Sequence, residues 1–398
     1  MKAYLCYIVL LLSIGCVEPF TPVIEEYDKV LVVDGLLSNS DRPTTVILSE
    51  SISLDDQRAQ YVSGAQVTIE DDQGVLIPLQ EIKPGFYQSD STTFRGEIGK
   101  SYRLHVTLNE GDQFESEWEL MKPAPPIDNI EVEFLEIMRD NPDSKPIQGA
   151  QFYLNTKNTE GSTKYYRWEW EETYIYRLPH PKFLQVEFSD NPGDGNDRFI
   201  SLSGPNFEGF DCYKTERSSE IIVATTESLI GDEIKDFPLR YIDNSGSQLY
   251  SRYSLLAKQY ALSKEYFDFL SKLEEVNEST GGLFDPIPNE VFGNMKYVGN
   301  INLPVLGYFA VAGVSESRIF VERPEIPDEF GARRGPGCLR DTVELDVQVL
   351  HSRLRSNQMV LYDYHYSLFG DILGYLIAEP QCTSCADYNA TNKVPEFW

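Results

Sequence analysis

Short runs in which apolar and polar residues alternate recur along the first third of the chain, and each run ends at a turn. Ala65, Val67 and Ile69, for example, are separated by polar residues and precede the turn-forming residues 71–74. A period of two residues puts such side chains on one face of a β-strand. A series of short strands divided by turns, with no helical period between them, predicts a β-sandwich over residues 29–121.

The segment Lys122-Pro123-Ala124-Pro125-Pro126 marks a boundary, because closely spaced prolines favour extended chain and do not fit a central strand. We therefore predict a proline-rich linker at 122–128 and a larger β-rich domain at 129–398. One helix is predicted near 263–277, since Ser263 is a favourable N-cap and apolar residues follow at helical spacing. Residues 343–350 are interpreted as a strand. The predicted fold class is mainly β, with a sandwich followed by a β-rich domain that contains at least one helix.

The N-terminus has the features of a secretory signal, in which Lys2 precedes an apolar run that ends in small residues and a cysteine. The run is too short to span a bilayer, which takes about 20 residues. Ser13-Ile14-Gly15-Cys16 resembles a bacterial lipobox, so we predict a signal peptide at 1–15, lipidation of Cys16 and a tether at 16–28. The alternative is an ordinary signal peptide with a chance cysteine. Val17 replaces the aspartate that retains many lipoproteins in the inner membrane, which favours an outer-membrane anchor and leaves cell-surface exposure open.

The chain of 398 residues has 34 basic and 63 acidic residues and a formal net charge of −29. A nucleic-acid binder needs a cationic face, so this composition argues against that class. No catalytic motif stands at a recognisable spacing, and none of the four histidines lies near the CxxC motif at 382–385. We therefore predict no enzyme, no metal site and no cofactor, although a catalytic set that assembles in space would escape sequence analysis.

Four cysteines remain beside Cys16 once the signal peptide is removed, and they are Cys212, Cys338, Cys382 and Cys385. In the oxidising compartment that the signal implies, disulfides are the expected state. Four cysteines allow three pairings. We favour a bond between Cys382 and Cys385, with Cys212 bound to Cys338. Bonds that tie the C-terminal pair to Cys212 or Cys338 stay open.

Alternate residues of one strand near the middle of the chain are aromatic, namely Tyr166, Trp168, Trp170, Tyr174 and Tyr176. Two interpretations are open. The aromatic face is either a binding face for a sugar or a partner, or the inner face of a sandwich core. The core interpretation is favoured, because Arg167, Glu169 and Glu171 lie on the opposite face.

Two further features concern the surface. Arg333 and Arg334 stand in a long polar connection of a very acidic chain, which is either a partner-contact loop or a solvated loop. Asp90-Ser91-Thr92 and Asp341-Thr342-Val343 resemble a three-residue O-glycosylation sequon. Ser91 and Thr342 are therefore candidate glycosylation sites.

The chain resembles known families at two levels. Glycine-led strands such as 64–69 and 99–106 are similar to those of immunoglobulin-like and transthyretin-like bacterial modules. A longer ordered set of landmarks resembles a Bacteroidota lipoprotein family called domain of unknown function 4249. This set comprises Leu31-Val32-Val33-Asp34-Gly35 after the lipobox, Tyr166-Arg167-Trp168-Glu169-Trp170, Gly282-Leu283-Phe284-Asp285-Pro286, Leu306-Gly307-Tyr308-Phe309 and the terminal Pro395-Glu396-Phe397-Trp398.

The family resemblance implies an outer-membrane lipoprotein that accompanies a TonB-dependent receptor barrel, since genes of this family commonly lie beside such receptors. It implies no catalytic residues. We therefore expect a lipid-anchored accessory protein that aids substrate capture or delivery by the transporter. The alternative is a structural or assembly lipoprotein of an outer-membrane complex without a ligand of its own. A secreted-side enzyme is a third and less favoured hypothesis.

Overall fold

The computed structural model describes residues 30–51, 60–138, 146–203, 209–279, 291–299, 304–331 and 337–398. The N-terminal part contains β1 (Leu31–Ser38), β2 (Thr45–Glu50), β3 (Gln60–Tyr61), β4 (Gln66–Asp71), β5 (Leu76–Lys83), β6 (Phe86–Gln88), β7 (Ser101–Thr107), β8 (Gln113–Ser116) and β9 (Glu119–Leu120). The central part contains β10 (Ile127–Ile137), β11 (Ile147–Lys157), β12 (Tyr165–Arg177), β13 (Leu184–Glu187), β14 (Arg198–Ser201), β15 (Asp211–Arg217), β16 (Ile222–Thr225), β17 (Glu233–Asp243) and β18 (Tyr253–Ala261).

The remaining elements are α1 (Lys264–Ser279), β19 (Met295–Tyr297), β20 (Leu306–Val321), β21 (Arg340–Glu344), α2 (Val347–Leu354), β22 (Val360–Tyr366) and β23 (Ile372–Ala378). Short 3-10 turns lie at Arg323–Glu325, Pro380–Cys382 and Ala386–Tyr388. The fold is mainly β with several sheets, which confirms the predicted class.

The first sandwich has two layers that share strand β5. The first half of β5 pairs with β4, and its second half pairs with β6, so the strand passes from one layer to the other. Strands β1, β2 and β6 complete one layer, and β4, β7, β8 and β19 complete the other. Val33, Val46, Ile69 and Leu104 are fully buried between the layers. This core is the apolar face that the alternating runs of the sequence predict.

The second sandwich packs the three-stranded sheet β10-β11-β17 against the sheet β15-β12-β18-β20. Phe152 of β11, Trp168 of β12 and Leu255 of β18 have no solvent-exposed surface at this contact. Every residue of β18 is buried, because its inner face packs against the opposing sheet and its outer face is covered by α1 and by side chains of β12 and β20. A strand buried on both faces belongs to the centre of a multilayer fold.

Strand β20 joins the two sandwiches. Its first half runs parallel to β1 of the first sandwich, and its second half runs antiparallel to β18 of the second. Gly307 pairs with Val33 at this junction and has φ +90°, and a Cβ atom there would lie 1.9 Å from the Val33 carbonyl oxygen. The close approach therefore requires glycine. Phe309 and Val311 of β20 also contribute to the core of the first sandwich, which is completed by chain from beyond residue 290.

The proline-rich segment is a packed connection. The Pro125 carbonyl oxygen accepts hydrogen bonds from Gln259 Nε2 at 2.8 Å and Ser315 Oγ at 2.7 Å. These donors lie on β18 and β20, so the segment is fixed across the central sheet. Ile127 already belongs to β10. The linker that we predicted from composition is thus held in place by hydrogen bonds that the sequence pattern does not reveal.

Helix α1 covers the junction on its outer side. The Ser263 hydroxyl accepts a hydrogen bond from the Tyr266 backbone N–H, as predicted for an N-cap. Tyr266 and Leu270 are buried against the central sheet, where the Tyr266 and Tyr308 ring centroids are 4.8 Å apart. The helical period of the sequence therefore corresponds to this buried stripe.

A C-terminal subdomain is built from the sheet β21-β23-β22, the hairpin β13-β14 and helix α2. Leu350 of α2 is fully buried among Leu184, Leu361 and Ile377. The prediction of a strand over 343–350 is wrong from Val347 onward. The Asp346 side chain accepts hydrogen bonds from the Gln348 and Val349 backbone N–H groups and starts a helix there. A favourable N-cap outweighs the β-propensity of the valines.

Candidate functional site

The aromatic side chains of β12 are core residues. Tyr166, Trp168, Trp170, Tyr174 and Tyr176 are all at most 6% exposed. The Trp168 ring lies 4.3 Å from the ring of Phe237 in the opposing sheet. This burial agrees with the favoured interpretation, a core face, and rules out the alternative of a binding face, because the rings are not accessible in the folded protein.

The same core contains a buried ion pair between the two sheets. Glu172 has no solvent-exposed surface, and its carboxylate accepts two hydrogen bonds from the Arg240 guanidinium, at 3.0 and 3.2 Å. The Tyr253 hydroxyl donates a third at 2.9 Å. Arg240 also stacks on the Trp170 ring at 4.1 Å. Burial and the adjacent carboxylate raise the pKa of Tyr253 well above its usual range, so its hydroxyl remains a donor.

The outer face of the central sheet is a ladder of alternating charge. Glu169 of β12, Lys258 of β18 and Glu316 of β20 stand directly across from one another. Glu171 lies on the same face of β12, two residues after Glu169, and forms ion pairs with Arg217 at 2.9 Å and Arg42 at 3.1 Å. Burial opposes ionisation of Glu171, but the hydrogen bonds from these arginines outweigh it and lower the pKa. Opposite charges on facing strands stabilise a sheet, which favours a structural role for the ladder.

The disulfides differ from the pairing that we favoured. Cys212 is bound to Cys385, and Cys338 is bound to Cys382. The prediction of a bond between Cys382 and Cys385 is wrong, because the 3-10 turns at 380–388 direct the two thiols to different partners. The first bond fastens the C-terminus to the edge strand β15 of the central sheet, and the second ties it to the residues that precede β21. Spacing along the sequence does not determine which of the three pairings the fold selects.

Several sequence-predicted residues lie outside the described part of the chain, namely Cys16 with its tether, Arg333 and Arg334. Ser91 lies in a surface turn after Asp90, and Thr342 is an exposed residue of β21, so both candidate glycosylation sites are on the surface. Among the described residues, no group of three or more His, Cys, Asp or Glu side chains is arranged to hold a metal ion. In the same residues, no helix combines the length and the apolar character that a membrane crossing needs.

An apolar surface stands at one end of the C-terminal subdomain, where the β22-β23 hairpin turns. Leu368 and Phe369 at the tip are exposed at 102% and 94% of their reference areas. Glu344 pairs with Gly374, which places the exposed Leu345 beside Leu373. We call this surface the apolar hairpin, and its exposed large side chains are Leu345, Tyr366, Leu368, Phe369, Ile372 and Leu373. Single exposed apolar residues are ordinary, whereas a group of them on one hairpin is a candidate binding surface.

The turn that presents the tip is held by its own hydrogen bonds. The Ser367 hydroxyl accepts hydrogen bonds from the Phe369 and Asp371 backbone N–H groups, at 3.2 and 3.0 Å. The Ser367 N–H donates to the Asp371 carbonyl oxygen at 2.7 Å, and Gly370 has φ +93°. Leu368 and Phe369 therefore project from a defined turn. A partner that binds them has little conformational entropy to remove from this loop.

Sequence analysis did not identify the apolar hairpin. Its signal is a turn with Gly370 and Asp371 that encloses two large apolar side chains, where turns normally have polar residues. Hydrophobic pattern alone does not distinguish such a pair from a buried one.

A family model described as a domain of unknown function, DUF4249, matches residues 17–318. The chain belongs to this family. The match contains both sandwiches up to the last residues of β20, whereas β21, α2 and the apolar hairpin lie beyond it. The resemblance that we drew from the terminal Pro395–Trp398 sequence is outside the matched range.

Two solved structures that align with the chain have low sequence identity to it. The collagen-binding domain of surface protein RspB from Erysipelothrix rhusiopathiae is 8% identical, and the alignment covers 72% of this chain and 96% of that chain with a TM-score of 0.12. The B domain of a biofilm-associated protein is 9% identical, with 72% and 85% coverage and a TM-score of 0.12. At these TM-scores neither likeness supports an argument. No curated protein matches the chain.

Proposed function

We propose that this protein is a lipid-anchored accessory protein of a TonB-dependent transporter in the outer membrane, and that it docks on the transporter barrel through the apolar hairpin. The supporting observation is the pair of fully exposed side chains, Leu368 and Phe369, on a turn fixed by its own hydrogen bonds. In this proposal the acylated Cys16 holds the protein at the membrane and the β-sandwiches aid capture or delivery of the substrate.

The chemistry of the hairpin favours a protein partner. Aromatic side chains such as Phe369 are enriched in the buried cores of protein interfaces, where they fill apolar pockets, and the contacts around them exclude water. Leu368 and Phe369 are almost fully exposed, so they add no buried apolar surface to the described fold. The large negative charge also disfavours direct attraction of the hairpin to an anionic lipid surface.

The alternative is a structural or assembly lipoprotein without a ligand of its own. The same hairpin would then dock on an assembly partner, because an apolar anchor does not specify which protein supplies the pocket. What separates the two functions is the identity of the protein that is recovered with the chain.

The test is co-purification from the native outer membrane in mild detergent, with quantitative mass spectrometry of the tagged protein. The test variant is Leu368→Ser/Phe369→Ser, which leaves the Ser367 and Asp371 hydrogen bonds of the turn in place. The matched control is Leu229→Ser/Ile230→Ser, because these two residues are also adjacent and exposed in a turn. Removal of two anchor side chains costs about 2 kcal/mol or more each, so we expect recovery of a barrel to fall at least tenfold in the test variant alone.

Two results would count against the proposal. Recovery of the wild-type protein alone, or with assembly machinery, would remove the transporter function and favour the alternative. Recovery of a barrel in equal amounts with wild type and with the test variant would keep the function but assign docking to another surface.

A further inference from the structure

A cavity of about 370 Å³ lies in the C-terminal subdomain, apart from the apolar hairpin. It is an open cleft lined by β13 and the residues on either side of it, by the C-terminal end of α2 and by the first residues of β22. Its volume is at the lower end of the range for small-molecule pockets, about 300–1,000 Å³. Every residue that lines it belongs to the described part of the chain.

One side of the cavity is apolar. Val186, Phe188, Leu354, Met359 and Leu361 line it and belong to, or pack against, the core of the subdomain. These side chains come from a strand, a helix and a second strand, so the apolar wall is held by three packed elements. A wall of this kind accommodates a hydrocarbon chain or ring of a ligand.

The other side is basic. Lys182, His351 and Arg355 line the cavity, and none of its lining residues is a carboxylate, although 63 of the 398 residues of the chain are acidic. Among the described residues, none of these three side chains forms an ion pair with a carboxylate. Arg353 on the same helix, by contrast, is paired with Asp341.

The helix dipole does not account for this arrangement. A cation in the last turn of α2 interacts favourably with the negative end of the dipole, which explains the placement of Arg353. Lys182 enters the cavity from the strand side, more than 150 residues earlier in the chain, and the dipole of α2 does not require it. Lys182 also borders a neighbouring cavity that Glu187 and Asp387 line, but it forms no ion pair with either.

We propose that this cavity binds a small amphipathic carboxylate, with the carboxylate at Lys182 and Arg355 and an apolar chain or ring against the Val186–Leu361 wall. A guanidinium donates two parallel hydrogen bonds to a carboxylate, and the ammonium adds charge. In a chain this acidic, a site whose lining has no carboxylate repels an anion less than a site with acidic lining residues does. The site does not depend on the partner of the apolar hairpin.

The test is isothermal titration calorimetry of the full mature protein with octanoate. Octanol, which lacks the charge, and acetate, which lacks the long hydrocarbon chain, are the matched control probes. We expect one octanoate per chain, bound at least tenfold more tightly than either control probe. Lys182→Gln/Arg355→Gln should weaken octanoate binding at least tenfold. Arg353→Gln, which removes a charge from the same helix outside the cavity, should leave it unchanged.

Each of the following three results would overturn one part of the proposed carboxylate site. Equal affinity for octanol and octanoate would show that the basic groups do not recognise the anion. Unchanged octanoate binding in Lys182→Gln/Arg355→Gln, with folding verified by circular dichroism, would place the site elsewhere. Loss of binding in Leu368→Ser/Phe369→Ser would show that octanoate binds the apolar hairpin and would overturn the assignment to the cavity.

Discussion

Replacement of Arg240 with methionine should destabilise the second sandwich strongly. The substitution removes two hydrogen bonds to Glu172, at 3.0 and 3.2 Å, and leaves a carboxylate with no solvent-exposed surface. Loss of one partner from a buried ion pair costs about 3–5 kcal/mol. The Tyr253 hydroxyl still donates to Glu172, and the Arg240 side chain is 25% exposed, so we expect a cost near the lower end, about 3 kcal/mol.

The double variant Arg240→Met/Glu172→Gln provides a second and sharper test of the buried ion pair. It removes the charge that the single variant leaves unpaired, while the glutamine oxygen still accepts from Tyr253. The double variant should therefore be more stable than Arg240→Met alone by at least about 1 kcal/mol. Arg198→Met is the control, because the ion pair of Arg198 with Glu187 is exposed and worth about 0–1 kcal/mol.

Urea unfolding with the disulfides intact, followed by tryptophan fluorescence, measures these differences. Trp170 lies under the Arg240 guanidinium and reports on the same core. Two results would contradict this prediction: a loss of unfolding free energy in Arg240→Met no larger than that in Arg198→Met, or a double variant as unstable as Arg240→Met. Either result would mean that Glu172 reaches solvent or another partner once the arginine is gone.

Three further predictions concern other parts of the fold. Gly307→Ala should prevent pairing of β1 with β20 and lower the yield of folded protein severely, whereas Gly74→Ala, with φ +81° and open space around it, should cost only about 1–2 kcal/mol in thermal unfolding. Burial raises the pKa of Glu119, so stability should fall as the pH rises from 4.5 through the folded-state pKa, and Glu119→Gln should flatten that dependence in unfolding measured against pH. Trypsin digestion without reduction, followed by mass spectrometry, should release one disulfide-linked species that contains the three peptides 199–214, 335–340 and 356–393. Two separate species, one of them peptide 356–393 alone, would instead support the pairing of Cys382 with Cys385.

The sequence predicted the local elements well. Alternation at Ala65, Val67 and Ile69 and the N-cap at Ser263 each depend on neighbours within a few residues, and such signals are present in the chain itself. The prediction of a strand over 343–350 was wrong because two local signals compete there: Asp346 favours the start of a helix, and the β-branched residues after it favour a strand. Where two local preferences conflict, tertiary packing decides, and here the burial of Leu350 favours the helix.

Long-range features were not predictable in this way. Gly307 meets Val33 across more than 270 residues, and Cys212 reaches Cys385 across 173. Neither contact leaves a periodic trace in the sequence. The aromatic face of β12 illustrates the limit. Its pattern favours a core but also fits a binding surface, and the position of the opposing sheet β10-β11-β17 decides between them.

The family match ends close to a boundary in the structure, at the last strand of the two sandwiches. The match ends at residue 318, near the end of this strand. The apolar hairpin lies beyond that point, whereas the basic cavity is lined partly by matched residues around β13 and partly by unmatched residues of α2 and β22. The bond between Cys212 and Cys385 joins the two parts through the edge strand β15. A rigid attachment of this kind lets the turn of the hairpin change its side chains without disturbing a core on which the sandwiches depend. If recognition resides there, exchange of residues 366–373 between relatives should exchange partners and leave the stability of the sandwiches unchanged.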